Sequence, residues 1–124
     1  MRKTVTVMFM DAVGSTTAGE HTDPETLRRL MTRYFHEIRT IVERHGGTVE
    51  KYIGEAVMAV FGVPQVHEDD ALRAVRTAHE IRARLAELSE LIRAERGFSI
   101  EWRTGVNTGE VVAGDAGTGQ RFVS

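Results

Sequence analysis

The sequence contains no cysteine, which excludes disulfides and thiolate metal sites and fits a reducing compartment. It also lacks a charge excess of either sign. A net charge of −2 gives no polyelectrolyte basis for holding nucleic acid or an anionic membrane. No stretch approaches the roughly 20 apolar residues needed to cross a bilayer. Met1-Arg2-Lys3 followed by apolar residues faintly mimics a secretion signal, but threonines interrupt the apolar run and Asp11 stops it. Internal repeats, low-complexity segments and linkers are missing too. What remains is an ordinary globular composition, 41% apolar and 27% charged, in 124 residues. That is one domain at most and enough for a real core. The expectation is a soluble cytoplasmic protein, with no nucleic-acid partner and no membrane contact.

The pattern opens with a strand over about Lys3 to Met10. Val5, Val7 and Phe9 share one face and Thr4, Thr6, Met8 and Met10 the other, which suits a central strand covered on both sides. Asp11 breaks the pattern and leads into the small-residue loop Val13-Gly14-Ser15-Thr16. Asp23 and Pro24 have the character of an N-cap and a first helical residue. A stripe from Leu27 through Leu30, Met31, Tyr34, Phe35, Ile38 and Ile41 to Val42 then marks a helix, which Gly46-Gly47 ends.

A second strand spans about Thr48 to Ile53. Lys51 is expected on the same face as Val49 and Ile53, as an edge-strand charge or as a functional lysine. Gly54-Glu55 has the Gly-first form of a type II′ hairpin turn, and the apolar run Ala56 to Phe61 reads as a central strand. A second helix spans roughly Asp69 to Glu95, with Leu72, Val75, Ala78, Ile81, Leu85, Leu88 and Ile92 as its buried stripe. His67-Glu68-Asp69-Asp70 reads as capping and N-terminal charge rather than as a metal cluster. Glu80 and Arg84 form an i,i+4 pair. A fourth strand covers Phe98 to Val106, Asn107-Thr108-Gly109 is a turn, and a fifth strand runs from Glu110 to Gly114. The glycine-rich loop Gly114 to Gly119 lacks the spacing of a Rossmann or Walker loop and reads as a connection. Arg121 to Ser124 resembles the start of another strand, so the chain is expected to be a truncated piece. The order β-α-β-β-α-β-β predicts an α/β sandwich of ferredoxin-like type.

The chemistry concentrates at strand ends. Mg²⁺ and Mn²⁺ take carboxylate oxygens, usually one or two from protein with the rest from phosphate. Asp11 and Glu55 form such a pair if their strands are neighbours. Gly14, Ser15 and Thr16 offer N–H groups to a polyphosphate, and Arg103 can neutralise phosphate with two parallel N–H donors. Taken singly, Asp11 also reads as a cap, Glu55 as a turn residue and Arg103 as a surface charge.

Four stretches, Val7 to Thr16, Glu50 to Gly62, His67 to Ala74 and Arg103 to Gly114, resemble the class III adenylate and guanylate cyclase catalytic domains, most closely the bacterial branch. The resemblance covers essentially the whole chain, as a single catalytic domain over residues 1–124 that forms the N-terminal two-thirds of the family unit. It implies a ferredoxin-like core, a homodimer with catalysis between its two domains, and conversion of ATP or GTP to a 3′,5′-cyclic nucleotide and pyrophosphate with two Mg²⁺ or Mn²⁺ ions. Asp11 matches the first metal-binding aspartate, and Ala12 a residue whose backbone carbonyl also touches metal. Gly14 to Thr16 match the triphosphate loop and Arg103 a phosphate-binding arginine. Lys51 matches the lysine that reads adenine, acting in the site whose metals the partner chain holds, which favours ATP.

Two departures stand out. Glu55 replaces the family's usual second aspartate, which keeps the charge and moves the carboxylate outward by about 1.5 Å. The family's second purine-reading residue, its transition-state asparagine and a further arginine fall beyond Ser124. A degenerate cyclase-homology module that binds nucleotide or dimerises is therefore the alternative function. Gly46 to Glu50 also echoes the diguanylate cyclase signature, but sits at a helix end rather than on a hairpin tip.

Overall fold

A computed structural model describes residues 2–13, 22–113 and 122–123. A five-stranded antiparallel sheet has the order β2-β3-β1-β4-β5. Its strands are β1 (Arg2–Val13), β2 (Thr48–Ile53), β3 (Ala56–Phe61), β4 (Glu101–Ala113) and β5 (Phe122–Val123), and its helices are α1 (Pro24–Arg44) and α2 (Asp70–Arg96). Both helices pack on one face, as expected for a ferredoxin-like sandwich.

The covered face carries the main core. Met8 and Met10 of β1, Val57, Ala59 and Phe61 of β3, the α1 stripe and Ile81, Leu85, Leu88 and Ile92 of α2 close together there. Among the described residues the opposite face buries a smaller cluster of Val5, Val60 and Val63 near the end of β3, with Val7, Met58 and Val111 packed against it. Further along, Phe9 is exposed. So β1 is central, as its composition suggested, but only part of its second face is covered.

Helix α1 forms as its end signals require. The Asp23 carboxylate accepts the Thr26 N–H at 2.7 Å, and Pro24 opens the first turn. At the other end the Gly47 N–H donates to the Val42 carbonyl at 2.9 Å and the Gly46 N–H to the Glu43 carbonyl at 3.0 Å. With Gly46 at φ +83°, this is a Schellman stop, which needs the left-handed conformation that glycine takes without steric cost.

Helix α2 departs from expectation in its first turns. Leu72 and Val75 are exposed, while Ala74 and Thr77 are buried with Ile81. Nine residues are two and a half turns, so Leu72 lies opposite Ile81, and Ala74 shares its face. The Glu80–Arg84 pair is also absent. Glu80 instead bridges to α1, accepting from Arg44 at 2.5 Å and contacting His45 at 2.8 Å. Arg84 donates through two arms to Glu37 at 3.0 and 3.1 Å. Cross-helix partners won because α1 and α2 pack side by side. The capping expectation is not met at the N-cap, where Asp69 makes no side-chain cap hydrogen bond and pairs with Arg73 at 3.2 Å instead; the Asp70 carboxylate accepts the His67 N–H at 2.8 Å in a local turn.

Strand β4 corrects a second expectation. Asn107-Thr108-Gly109 is no turn, because β1 pairs continuously with β4 from Arg2↔Val112 to Val13↔Glu101. A twelve-residue partner strand supplies the ladder across this turn-like composition, and Thr108 even shares a 2.8 Å hydroxyl contact with Thr6. The predicted fifth strand is the continuation of β4, and the short segment paired with it is β5.

Candidate functional site

Register places the candidate residues. Asp11 stands opposite Ala56 of β3 on one side and Arg103 of β4 on the other. Paired residues of antiparallel strands point to the same side, so Asp11, Ala56 and Arg103 share the face that the helices leave open. The sheet's strand order is what brings Glu55 close. The β2–β3 hairpin turns at Gly54-Glu55, next to the end of β1, and the Ala12 N–H donates to the Glu55 carbonyl at 3.1 Å. Gly54 has φ +58° while no non-glycine residue is positive among the described residues, in keeping with a type II′ turn.

The guanidinium of Arg103 reaches Asp11 directly. Its Nε and one terminal nitrogen donate to the two carboxylate oxygens at 3.4 and 3.3 Å. Asp11 is about one-third exposed and Arg103 three-quarters exposed. Sequence reasoning missed this pair. Its signal is the β1–β4 register, which depends on contacts 92 positions apart in the chain.

Lys51 lies on β2, an edge strand, and is exposed. A bulge between Val49 and Lys51 corrects its expected face. Val49 faces the helix side through Ala59, and Tyr52 follows it there, its ring 5.0 Å from that of Phe35. Lys51 pairs with Met58, which pairs with Phe9, so Lys51 joins Ile53 on the open face with Asp11. The extra residue breaks the period-two alternation that would have kept Lys51 with Val49. An exposed ammonium has no burial cost to explain.

Gly14, Ser15 and Thr16 lie outside the described residues. Among the described residues no group of three or more His, Asp or Glu side chains is placed to hold a metal ion. Asp11 and Glu55 are therefore two hard carboxylate donors at adjacent strand ends. That donor set fits Mg²⁺ or Mn²⁺, which accept one or two carboxylates and complete their shell with phosphate, water or backbone oxygens. A cavity of about 740 Å³ lies on the other side of the sheet, between α2 and β4, lined by Leu85, Arg93, Ile100 and Trp102 among others. It does not include Asp11, Glu55 or Arg103. No described helix is long and apolar enough to cross a membrane.

Comparison with known proteins agrees with this arrangement. Adenylate cyclase 1 of Rhizobium meliloti is 31% identical over 121 residues, 98% of this chain and 18% of its own length. The adenylyl cyclase CyaB from P. aeruginosa superposes with a TM-score of 0.85 at 33% identity, over 99% of this chain and 65% of that one. A dimeric guanylyl cyclase domain of the RhoGC fusion protein from the aquatic fungus Blastocladiella emersonii superposes at 0.86 with 28% identity, over 100% and 69%. The chain spans about a fifth of the length of the curated relatives it matches. The family profile described as the adenylate and guanylate cyclase catalytic domain matches residues 1–122. With strand order, helix placement and profile in agreement, this chain belongs to the adenylate and guanylate cyclase catalytic domain family.

Proposed function

We propose that the domain is an adenylate cyclase, converting ATP to 3′,5′-cyclic AMP and pyrophosphate. The observation that carries this reading is the three-strand register: Asp11 beside Arg103, with the Glu55 turn tied to Ala12, at one end of the open face. Asp11 and Glu55 would hold the divalent cations, with the Ala12 carbonyl and the substrate's phosphate oxygens completing the shell. When bound, Mg²⁺ or Mn²⁺ supplies charge neutralisation at the phosphates and eases deprotonation of the ribose 3′-hydroxyl.

The chain's own groups position the reaction. Arg103 offers a two-armed donor to phosphate oxygens, and Gly14, Ser15 and Thr16 offer backbone N–H groups to the triphosphate. Lys51, exposed on the open face, donates to the purine in the site whose cations the second copy of the chain holds, which favours adenine. The 3′-hydroxyl gives its proton to solvent water, its oxygen bonds to the α-phosphorus, and the bond to the bridging oxygen breaks as pyrophosphate leaves in line. A second copy of the chain covers the open face, where Phe9 is 42% and Ile53 49% exposed, so the working unit is a homodimer.

Calorimetric titration of Mn²⁺·ATP and Mn²⁺·GTP, with chromatography of the products, tests this reading. The expected result is tighter binding of ATP than of GTP, lost in Asp11→Asn. No binding and no cyclic product with either nucleotide refutes it. Glu55 favours a second reading, a regulatory module that binds nucleotide without turnover. Glu55→Asp separates the two: a large gain in product means that the natural site is impaired, whereas no gain over an active parent means that glutamate serves.

A further inference from the structure

Arg103 is placed to serve as a phosphate ligand, yet in the structure both of its donating arms are on Asp11. Both contacts lie at the long end of hydrogen-bond range. Among the described residues Asp11 is the one carboxylate within ion-pair distance of Arg103. The β1–β4 ladder does not need this pair, since twelve consecutive residue pairs already fix its register. Asp11 pairs with Ala56, the residue after Glu55 in the hairpin, and the Arg103 guanidinium is the cation seated on its carboxylate.

We propose that Arg103 is a counter-ion latch: it holds Asp11 in the cation-free state, and divalent cation with triphosphate displaces it from the carboxylate onto the phosphate oxygens. This inference rests on the cyclase reading of Asp11 as a cation ligand. The exchange is a charge-for-charge replacement. Cation binding to Asp11 must break the ion pair, which opposes it, and the triphosphate then takes up the freed guanidinium, which favours it. Cation and nucleotide binding are thereby coupled: the bare ion meets an occupied carboxylate, while the ion carried on a triphosphate brings a new acceptor for Arg103. Arg103 acts on the cation through Asp11 and on the substrate directly.

The coupling predicts two effects of opposite sign from one substitution. Arg103 is three-quarters exposed, so Arg103→Gln leaves the core untouched, and circular dichroism melting checks that it folds. Free Mn²⁺ without nucleotide is followed by the loss of the aqueous ion's electron paramagnetic resonance signal, and Mn²⁺·ATP by calorimetry. Arg103→Gln is expected to bind free Mn²⁺ about two- to fivefold more tightly than the parent, the range of an exposed ion pair, and to bind Mn²⁺·ATP more weakly. Equal or weaker free Mn²⁺ binding overturns the latch. A Mn²⁺ gain with unchanged or tighter Mn²⁺·ATP binding also overturns it, because the released guanidinium would then have no acceptor to move to. Failure of the underlying reading shows separately, as a parent chain whose Mn²⁺·ATP titration matches that of Asp11→Asn.

Discussion

Gly47→Ala tests how the α1 stop is packed against the sheet. Gly47 does not have a positive φ, so alanine meets no backbone penalty and the effect is steric. A Cβ at this position would stand 2.6 and 2.7 Å from two ring carbons of Phe61 and 3.0 Å from a Val42 methyl. Ordinary carbon contacts lie at about 3.5–4.0 Å, so the ring must retreat by roughly 1 Å. Phe61 is 1% exposed and Val42 fully buried, which leaves the ring no solvent to move into. Overpacking of this kind costs about 1–3 kcal/mol. The smaller backbone freedom of alanine in the unfolded chain returns about 0.4–1 kcal/mol. A net loss of about 1–2 kcal/mol lowers the melting temperature by roughly 3–10 °C for a chain of this length. Thermal melts by circular dichroism read this, and a double-mutant cycle with Phe61→Leu identifies the contact. The loss in the double variant should be smaller than the sum of the single losses by at least about 0.5 kcal/mol, because the smaller side chain vacates the space the methyl needs. A Gly47→Ala protein that melts at or above the parent, or strict additivity with Phe61→Leu, refutes the reasoning.

Two further outcomes follow from polar contacts in the sandwich. Tyr34 is fully buried, and its hydroxyl lies 2.9 Å from that of Ser89, which donates its one proton to the Ile100 carbonyl at 3.1 Å. Tyr34→Phe therefore removes a donor while keeping the ring, and should cost about 1 kcal/mol in urea titration; no measurable loss would mean that the hydroxyl bond adds nothing. The hydrogen bonds from Arg84 hold the Glu37 carboxyl below its ordinary value of 4.5. A depressed carboxylate contributes stability above the unfolded value, and that contribution fades as pH falls through the folded one. Glu37→Gln should thus be less stable than the parent at neutral pH, by up to about 1 kcal/mol, and the gap should close as pH falls from 4.5 through the depressed folded value; a gap that stays constant on acidification would exclude the ion pair as the cause.

Legibility in the sequence followed the range of the interactions. Helix α1 was readable to within a residue because Asp23, Pro24, Gly46 and Gly47 act locally and its apolar stripe has a single period. The start of α2 was not, because Leu72, Val75, Ala74 and Thr77 offer competing faces and only packing on α1 and the sheet selects one. Asn107-Thr108-Gly109 has turn composition, and a long partner strand overrode it. The face taken by Lys51 hinges on a one-residue bulge that periodicity cannot reveal. Asp11, Glu55 and Arg103 were recognisable as candidates from residue type and resemblance. Their mutual placement, above all the Arg103–Asp11 pair, comes from strand register, a non-local property.

The sheet's two faces divide the work, and that division has consequences for how variants behave. The helix-covered side holds nearly all buried apolar side chains, and stability rises with apolar area removed from water. The open side has its small valine cluster at one end and Asp11, Arg103 and Lys51 at the other. Substitutions at that charged end remove little buried area and cross-strand pairs worth only tenths of a kcal/mol, so they leave the fold of the domain in place. Core substitutions do the reverse, except where a residue spans both roles. Strand β3 is that exception: Phe61 packs beneath the α1 stop, while the other end of the strand carries the Glu55 turn. The same six-residue strand therefore meets the core at Phe61 and pairs with Asp11 at Ala56, next to the Glu55 turn, so a core variant at Phe61 is the one whose effect should be read at both ends.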